Sequence, residues 1–466
     1  MLSSLSSLSS TTPRSSLRLR SLSDRRAWRN ARPDPLAFSH AAWHDPSFWH
    51  FQVLECPDVL GVTRAASRRG ASAALVTPLG RSAAGASGPA LRVSLSPCPA
   101  LQALAPQWRA LEAQAEPNFF TSWTWIGCWL QHLGSAHRPV LVRVHQGAEL
   151  VGLAVLVPQR TRRLRWWPFR ALHLHATGER AWDDITLEYN GWLVRRGLSG
   201  PVHAAVSAQL WALAPRVDQV CLPGVSADHE VWRAAPPPVV CVREWSEPAY
   251  RTDLSAVRAS GRAFLDTVGT ATRSTVRRSL RLYQGLGEVR LSPAGDVPQA
   301  LQFLEQLKHH HQKTWTARGQ PGAFANPAFE RFHRRLITTA WPAGQVQLLR
   351  VTAGSAEVGY LYNFVQGGQM LAYQSGFHFG LTDRNHHPGL VAHALAVQWA
   401  LDAGLDGYDF MAGEARYKQQ LSHQTYLMTT FTLHRRSLGL WLEQAWRRVR
   451  GHLSPASPQA LTSTPP

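Results

Sequence analysis

The stretch HPGLVAHALAVQWALDAGLDGYDFMAGEARYKQQLS, residues 387–422, decides how this chain is read. Pro388 and Gly389 open a run whose apolar spacing predicts a helix closed by Gly404. "GYDFM" (407–411) then reads as a buried strand that breaks at Ala412-Gly413. A polar, helix-compatible piece follows and carries Glu414, Tyr417 and Lys418 within five residues, with Asp409 just upstream in the strand. A helix that starts at Pro388 exposes the backbone N–H groups of residues 389–391, and Gly389 has no side chain to obstruct a close approach. The positive end of the helix dipole suits a phosphate or pyrophosphate there. Arg384, His386 and His387 precede it and add positive charge. The plainer reading is a proline placed in the first turn for its fixed φ.

Working outward, three strands precede this stretch. "QVQLLRVTA" turns at Gly354-Ser355 into "AEVGYLYNFVQ", which turns at Gly367-Gly368 into "QMLAYQSGF". Before them lie helical patterns: "GRAFLDTVGTATRSTVRRSLRLYQGLG" (one or two helices), "VPQALQFLEQLKHHHQKTWTARG", and "NPAFERFHRRLITTAW" with Asn326 as cap. The N-terminal region repeats the alternation. "LRVSL" is a strand, and "ALQALAPQWRALEAQA" is a helix. A second helix has Ser122 as cap and Gly134 as stop. "RPVLVRVHQ", "ELVGLAVLVPQRT", "RALHLHATG" and "ITLEYNGWLV" are strands, then "VHAAVSAQLWALA" is a helix and "VDQVCLP" a strand. The proline-marked "RAAPPPVV" separates the two units. The expected organisation is α/β (α+β): residues 91–235 and 240–435 as two modules, then a C-terminal helix and tail over 436–466. Residues 1–90 are Ser/Arg-rich and of low complexity, and they read as a disordered leader or a targeting peptide.

Composition bounds the function. The 466 residues carry a net charge of +19, almost all of it arginine, since Lys308, Lys313 and Lys418 are the only lysines. That balance favours anionic partners, and no nucleic-acid-binding motif accompanies it. The five cysteines include no CxxC pair, which argues against a disulfide scaffold or a cysteine zinc site and fits a reducing cytoplasm. No run of eighteen apolar residues is present.

The segments "RSTVRRSLRLY" (273–283), "GYLYNF" (359–364), "YQSGF" (373–377), "HPGLVAHALA" (387–396) and "YDFMAGEARYK" (408–418) together resemble the GNAT-superfamily acyltransferases of the FemAB-like, CelD-type family. The resemblance covers about 245–425 strongly and 91–235 weakly. It implies two GNAT-like modules, each a small twisted mixed sheet flanked by helices. It also implies acyl transfer from acetyl-CoA or another acyl-CoA, as co-substrate rather than tightly bound cofactor, to an amine on a saccharide or cell-envelope precursor. Arg384, His387, Gly389 and Leu390 would then meet the donor, with Arg273, Arg277, Arg281, Asn363, Tyr373 and Gln374 binding substrate. Glu414 or Asp409 would serve as base, Tyr417 as acid, and Lys418 as anion or oxyanion partner. The pyrophosphate loop of simpler GNAT proteins is reduced here to "RNHHPGL". Two rivals therefore stand: a FemAB-like transferase using aminoacyl-tRNA, and a non-catalytic binding module with a decayed donor site.

Other features have plainer readings. Arg273, Arg277 and Arg281 recur at four-residue spacing on one helical face, either a polyanion stripe or a solvated face. "HHH" at 309–311 cannot converge on one metal from a helix and reads as surface. Asp183 and Asp184 read as a turn rather than a sugar site. "RTRRLRWWPFR" (160–170) reads as packing, with peripheral membrane contact as its alternative.

Overall fold

The computed structural model describes residues 90–163, 167–185, 187–226, 239–379, 385–437 and 441–442. The expected leader (apart from residue 90), the proline-marked connection before Val239, Arg384, part of the 160–170 stretch and nearly all of 436–466 lie outside these residues. In the N-terminal half the order is β1 (Leu91–Pro97), α1 (Leu101–Glu112), α2 (Trp123–His132), β2 (Val140–Gln146), β3 (Glu149–Arg163), β4 (Trp167–Leu174), α3 (Arg180–Asp183), β5 (Leu193–Val194), α4 (Ser199–Leu213), β6 (Gln219–Ser226) and β7 (Val239–Asp253). The C-terminal half continues with α5 (Leu254–Ala259), α6 (Phe264–Thr267), α7 (Thr270–Gln284), β8 (Val289–Pro293), α8 (Val297–Ala317), α9 (Pro327–Ala340), β9 (Val346–Ala353) and β10 (Ala356–Gln366). It closes with β11 (Gln369–Phe377), α10 (Pro388–Asp402), β12 (Gly407–Ala412), α11 (Arg416–Leu421) and β13 (Gln424–Arg435).

Local chemistry explains many of the boundaries. The Ser122 hydroxyl accepts from Trp125 N–H at 3.2 Å to start α2. Asn326 accepts from Ala328 N–H at 3.0 Å with Pro327 in the first turn of α9. Gly367 and Gly368 take φ of 54° and 76°, the two left-handed positions that a tight β10–β11 hairpin requires. α2 stops at His132, two residues before the glycine expected to end it.

The two halves repeat one topology: a strand, two helices, a three-stranded meander, a helix, and a strand parallel to the last of the meander. β4 pairs in parallel with β6, and β11 with β12. The next strand is then exchanged between halves. β7 leaves the N-terminal half to pair with β12, and β13 returns to pair with β6, while β7 and β13 pair with each other over twelve register positions. One continuous mixed sheet results, in the order β1-β2-β3-β4-β6-β13-β7-β12-β11-β10-β9-β8, with β5 attached to β3. A shared apolar cluster joins Trp108 of α1, Trp125 of α2, Leu307 of α8 and Phe332 of α9 to both half-sheets. α10 and α7 cover the C-terminal half on another face, and α4 covers the N-terminal half.

Two expectations are corrected. The described residues of 185–194 do not form one strand; only Leu193–Val194 is a strand, and Asn190 makes an isolated bridge to Val225. Tyr189 sits at φ 49°, the Asn190 amide donates to Gly224 O at 2.9 Å, and the Asn190 side chain donates to Leu174 O at 2.9 Å. The segment thus plugs the gap between β4 and β6. The histidine run is not surface, since His310 and His311 are buried and only His309 is exposed. Positions 310 and 311 fall three and four residues after Leu307, on the helical face that packs on the sheet. His311 Nδ1 lies 3.2 Å from Ser375 O, and its Nε2 accepts from Ala323 N–H at 3.3 Å.

Candidate active site

β11 and β12 pair only over Gln369–Leu371 and Gly407–Asp409, then diverge. Alternation along β12 sends Tyr408 and Phe410 into the cluster with α10 and Met411 into the cluster on the opposite face. Beyond Asp409 the strand is irregular: its register with β7 shifts, and Met411 takes φ 62°. A side chain there costs about 1–2 kcal/mol, a strain that collects at functional sites. The Met411 N–H donates to Asp409 Oδ1 at 2.8 Å and holds the turn.

Asp409 also accepts from Tyr189 OH at 2.7 Å and from Tyr426 OH at 2.5 Å. The two phenol oxygens touch each other as well. Burial raises the Asp409 carboxyl, and the two hydroxyls and the Met411 amide pull it back down. The peptide of Ala412 is gripped from both sides. Its N–H donates to Glu188 Oε2 at 2.8 Å, and its carbonyl accepts from Lys418 Nζ, which also reaches Met411 O at 3.4 Å. Lys418 is buried, and Glu188, Glu247 and Asp409 all act on its charge. Burial lowers the ammonium's affinity for its proton, and the three carboxyls oppose that. Burial drives Glu188 up to about 8, held back by Lys418 and pushed further by Glu247 and Asp409. The carboxyls packed round this ammonium disfavour one another's ionisation, and burial is the larger cause of the rise at Glu188. Glu188 Oε1 has no hydrogen-bond partner among the described residues.

Tyr417 faces the other way. Its ring stacks on His393 of α10 at 4.5 Å and 13°, and His393 Nδ1 lies 3.0 Å from Tyr408 OH. Burial, helped by Lys418, pushes His393 down to about 3, so the imidazole is neutral. Burial and then the Glu188 charge raise the Tyr417 phenol. Glu414 is exposed in the loop before α11.

At the start of α10, His387 takes φ 43° and its carbonyl accepts from Val391 N–H at 3.1 Å. Residue 391 is therefore already used, and Gly389 and Leu390 carry the amides that the helix leaves over. A Cβ on Gly389 would meet the Phe377 ring at 3.2 Å. Leu390 packs into the α10 core. α7 braces this loop: Ser279 Oγ donates to Asn385 O at 3.1 Å, and Tyr283 packs edge-on against His386 at 5.0 Å.

The expected substrate residues are not brought together. Arg273 and Arg277 both bind Asp266 Oδ1, at 3.3 and 3.0 Å, and Arg281 is exposed. Tyr373 lies in the shared cluster, where its hydroxyl meets His333 Nε2 at 3.0 Å and the Ile185 carbonyl. Asn363 donates to Gln347 O at 3.2 Å, and Gln374 accepts from the next amide, Ser375 N–H, at 3.0 Å. Asp183 does hold a turn, accepting from Thr177 N–H at 2.8 Å and Gly178 N–H at 2.7 Å. Sequence reasoning missed Glu188, Tyr189, Glu247, His393 and Tyr426. Glu188 had a signal, as the one acid inside the apolar run "ITLEYNGWLV".

Residues 270–419, from α7 into α11, match the family described as acetyltransferase (GNAT) domain. None of the curated proteins matches the chain. Among solved structures, FemX is 12% identical, with 76% of this chain and 100% of that chain covered and a TM-score of 0.46. L-PGS from Bacillus licheniformis is 11% identical over 74% and 96% of the two chains, with a TM-score of 0.42. A tandem GNAT protein from the clavulanic acid biosynthesis pathway is 11% identical over 74% and 99%, with a TM-score of 0.40. The fork of β11 and β12, α10, and the Tyr417-Lys418 pair all fall inside the segment that is similar to a GNAT acetyltransferase domain.

Proposed function

We propose that this chain is an N-acyltransferase that moves an acyl group from a coenzyme A thioester to an amine on a saccharide or cell-envelope precursor. The observation that carries this reading is the buried ammonium of Lys418 at the frayed end of β12, inside the segment similar to a GNAT domain. Lysine has three N–H donors, and two carbonyls, those of Met411 and Ala412, accept from Lys418. The third serves the oxyanion that forms when the amine adds to the thioester carbonyl. The surrounding carboxyls oppose the loss of its proton that burial favours.

Proton traffic follows from the same cluster. The amine loses one proton as the C–N bond forms, and the ionised form of Glu188 takes it through Oε1, since a carboxyl raised to about 8 is a stronger base than an ordinary one. Asp409, already accepting three hydrogen bonds, orients Tyr189 and Tyr426. Tyr417, whose phenol is held above its ordinary value, supports the departing thiolate by hydrogen bonding. The pyrophosphate of the donor sits at Gly389 and Leu390, with His387 beside it. Coenzyme A is favoured over aminoacyl-tRNA because Asp266 already engages two arginines of the α7 stripe.

The test incubates full-length protein with acetyl- and longer acyl-CoA and a panel of amino sugars, reading free thiol and product mass. Thiol release that depends on the amine supports the reading. Silence with every thioester, alongside transfer from an aminoacyl-tRNA, would replace the donor.

A further inference from the structure

The run KHHHQKTWTAR, residues 308–318, plays no part in the candidate active site. It forms the C-terminal half of α8 and the Arg318 that follows it. These turns and the end of β11 enclose a cavity of about 280 Å³, lined by His310, Lys313, Arg318, Phe377, His378 and Phe379. Lys313 and Arg318 are exposed at its rim, and neither has a carboxylate within ion-pair distance among the described residues. Lys308, earlier on the same helix, differs: it is held by Glu305 at 3.2 Å and Glu330 at 3.0 Å.

Deeper in, His310 is 6% exposed, and neither ring nitrogen has a hydrogen-bond partner among the described residues. Its ring is stacked between His378 at 5.1 Å and Tyr360 at 6.2 Å. Glu357 is 3.9 Å from Nε2, but its other oxygen already accepts from Tyr360 OH at 2.5 Å. Burial, then His378 and His309, disfavour a proton on His310, and Glu357 opposes them. Phe377 connects the place to α10, because its ring is what a Cβ on Gly389 would touch.

We infer that this cavity is an anion subsite that takes a phosphate group, carried either by the nucleotide part of the acyl donor or by a phosphorylated acceptor. Two unpaired cations at the rim, the His310 imidazole without hydrogen-bond partners inside and two phenylalanine rings fit a phosphate attached to an organic body rather than a bare ion. The inference goes beyond acyl transfer, and its test needs no turnover.

Calorimetric titration of the full-length protein with adenosine 3′,5′-bisphosphate and with uridine diphosphate, at fixed ionic strength, decides it. At least one probe should bind. Lys313→Met/Arg318→Met should weaken that probe by about tenfold or more, the loss expected for charge-assisted contacts. Lys308→Met should change it little. Preference for the adenosine bisphosphate assigns the subsite to the donor, and preference for the uridine nucleotide assigns it to the acceptor. No binding of either probe, unchanged affinity in the double variant, or an equal loss in Lys308→Met overturns the inference. The rim residues are exposed, so equal melting temperatures check that the variants fold.

Discussion

Tyr189, in the plug of the N-terminal half, donates a 2.7 Å hydrogen bond to Oδ1 of Asp409 on β12, 220 residues further along the chain. Tyr426 on β13 donates to the other oxygen of the same carboxylate at 2.5 Å. The exchange of β7 and β13 makes this meeting possible, because it brings both halves to one seam. Hydrogen bonds to a charged group contribute about 1.5–3 kcal/mol. Tyr189→Phe should lower unfolding stability by about that amount in chemical denaturation. A loss below about 0.5 kcal/mol would mean that Tyr426 alone satisfies Asp409.

Glu188 gives a pH signature. Its carboxyl stands at about 8 in the folded protein against 4.5 ordinarily, so the folded state holds a proton that the unfolded chain has released. Its contribution is fully present below about 4.5 and is lost as pH rises through about 8. Denaturant midpoints should therefore fall between pH 5 and pH 8. Glu188→Gln mimics the protonated acid, so it should match the native protein at pH 5 and exceed it at pH 8. An unchanged slope in Glu188→Gln would remove Glu188 as the cause.

Tyr417→Phe removes one hydroxyl and leaves the ring stacked on His393. Loss of a hydrogen bond to a developing thiolate corresponds to about 10- to 100-fold in turnover, with the Michaelis constant for the thioester little changed. Single-turnover measurement of the acyl-transfer step separates this from product release. Near-native chemistry in that assay would reassign Tyr417 to packing.

Gly389 separates space from charge. The Cβ of Gly389→Ala would touch the Phe377 ring at 3.2 Å, tight enough that the ring must give slightly, so donor affinity should fall only mildly. Gly389→Asp adds a carboxylate at the helix N-terminus and should weaken coenzyme A binding by about tenfold or more. Equal affinities for the two variants would place the pyrophosphate elsewhere.

The strand exchange predicts mutual dependence of the halves. A chain ending at Ser422 lacks β13, and with it the partner that β6 and β7 share. It should lose cooperative unfolding in both halves, since every edge it exposes was an interior pair. A single sharp transition at the full-length midpoint would show that β13 is dispensable.

The sequence by itself determined the elements, because their causes are local. Ser122 and Asn326 cap helices through amides two or three residues away, and Gly367-Gly368 bends a hairpin with its own φ angles. Periodicity also marked the meander, α10 and β12 in the segment that proved similar to a GNAT domain. It placed Asp409, Tyr417 and Lys418 in one short stretch, but not on their two different sides. Only the tertiary structure decided which acids surround Lys418. Glu188 belongs to a segment whose alternating pattern imitates a strand, yet Tyr189 in the left-handed region and Asn190 bridging Leu174 and Gly224 turn it into a plug. The same distinction holds at "HHH", where spacing is local but burial depends on which helical face meets β11. Ionisation follows burial, and burial follows pairings between residues hundreds of positions apart. That is why Glu188 and Lys418 acquired their chemistry only when β7 and β13 crossed between the halves.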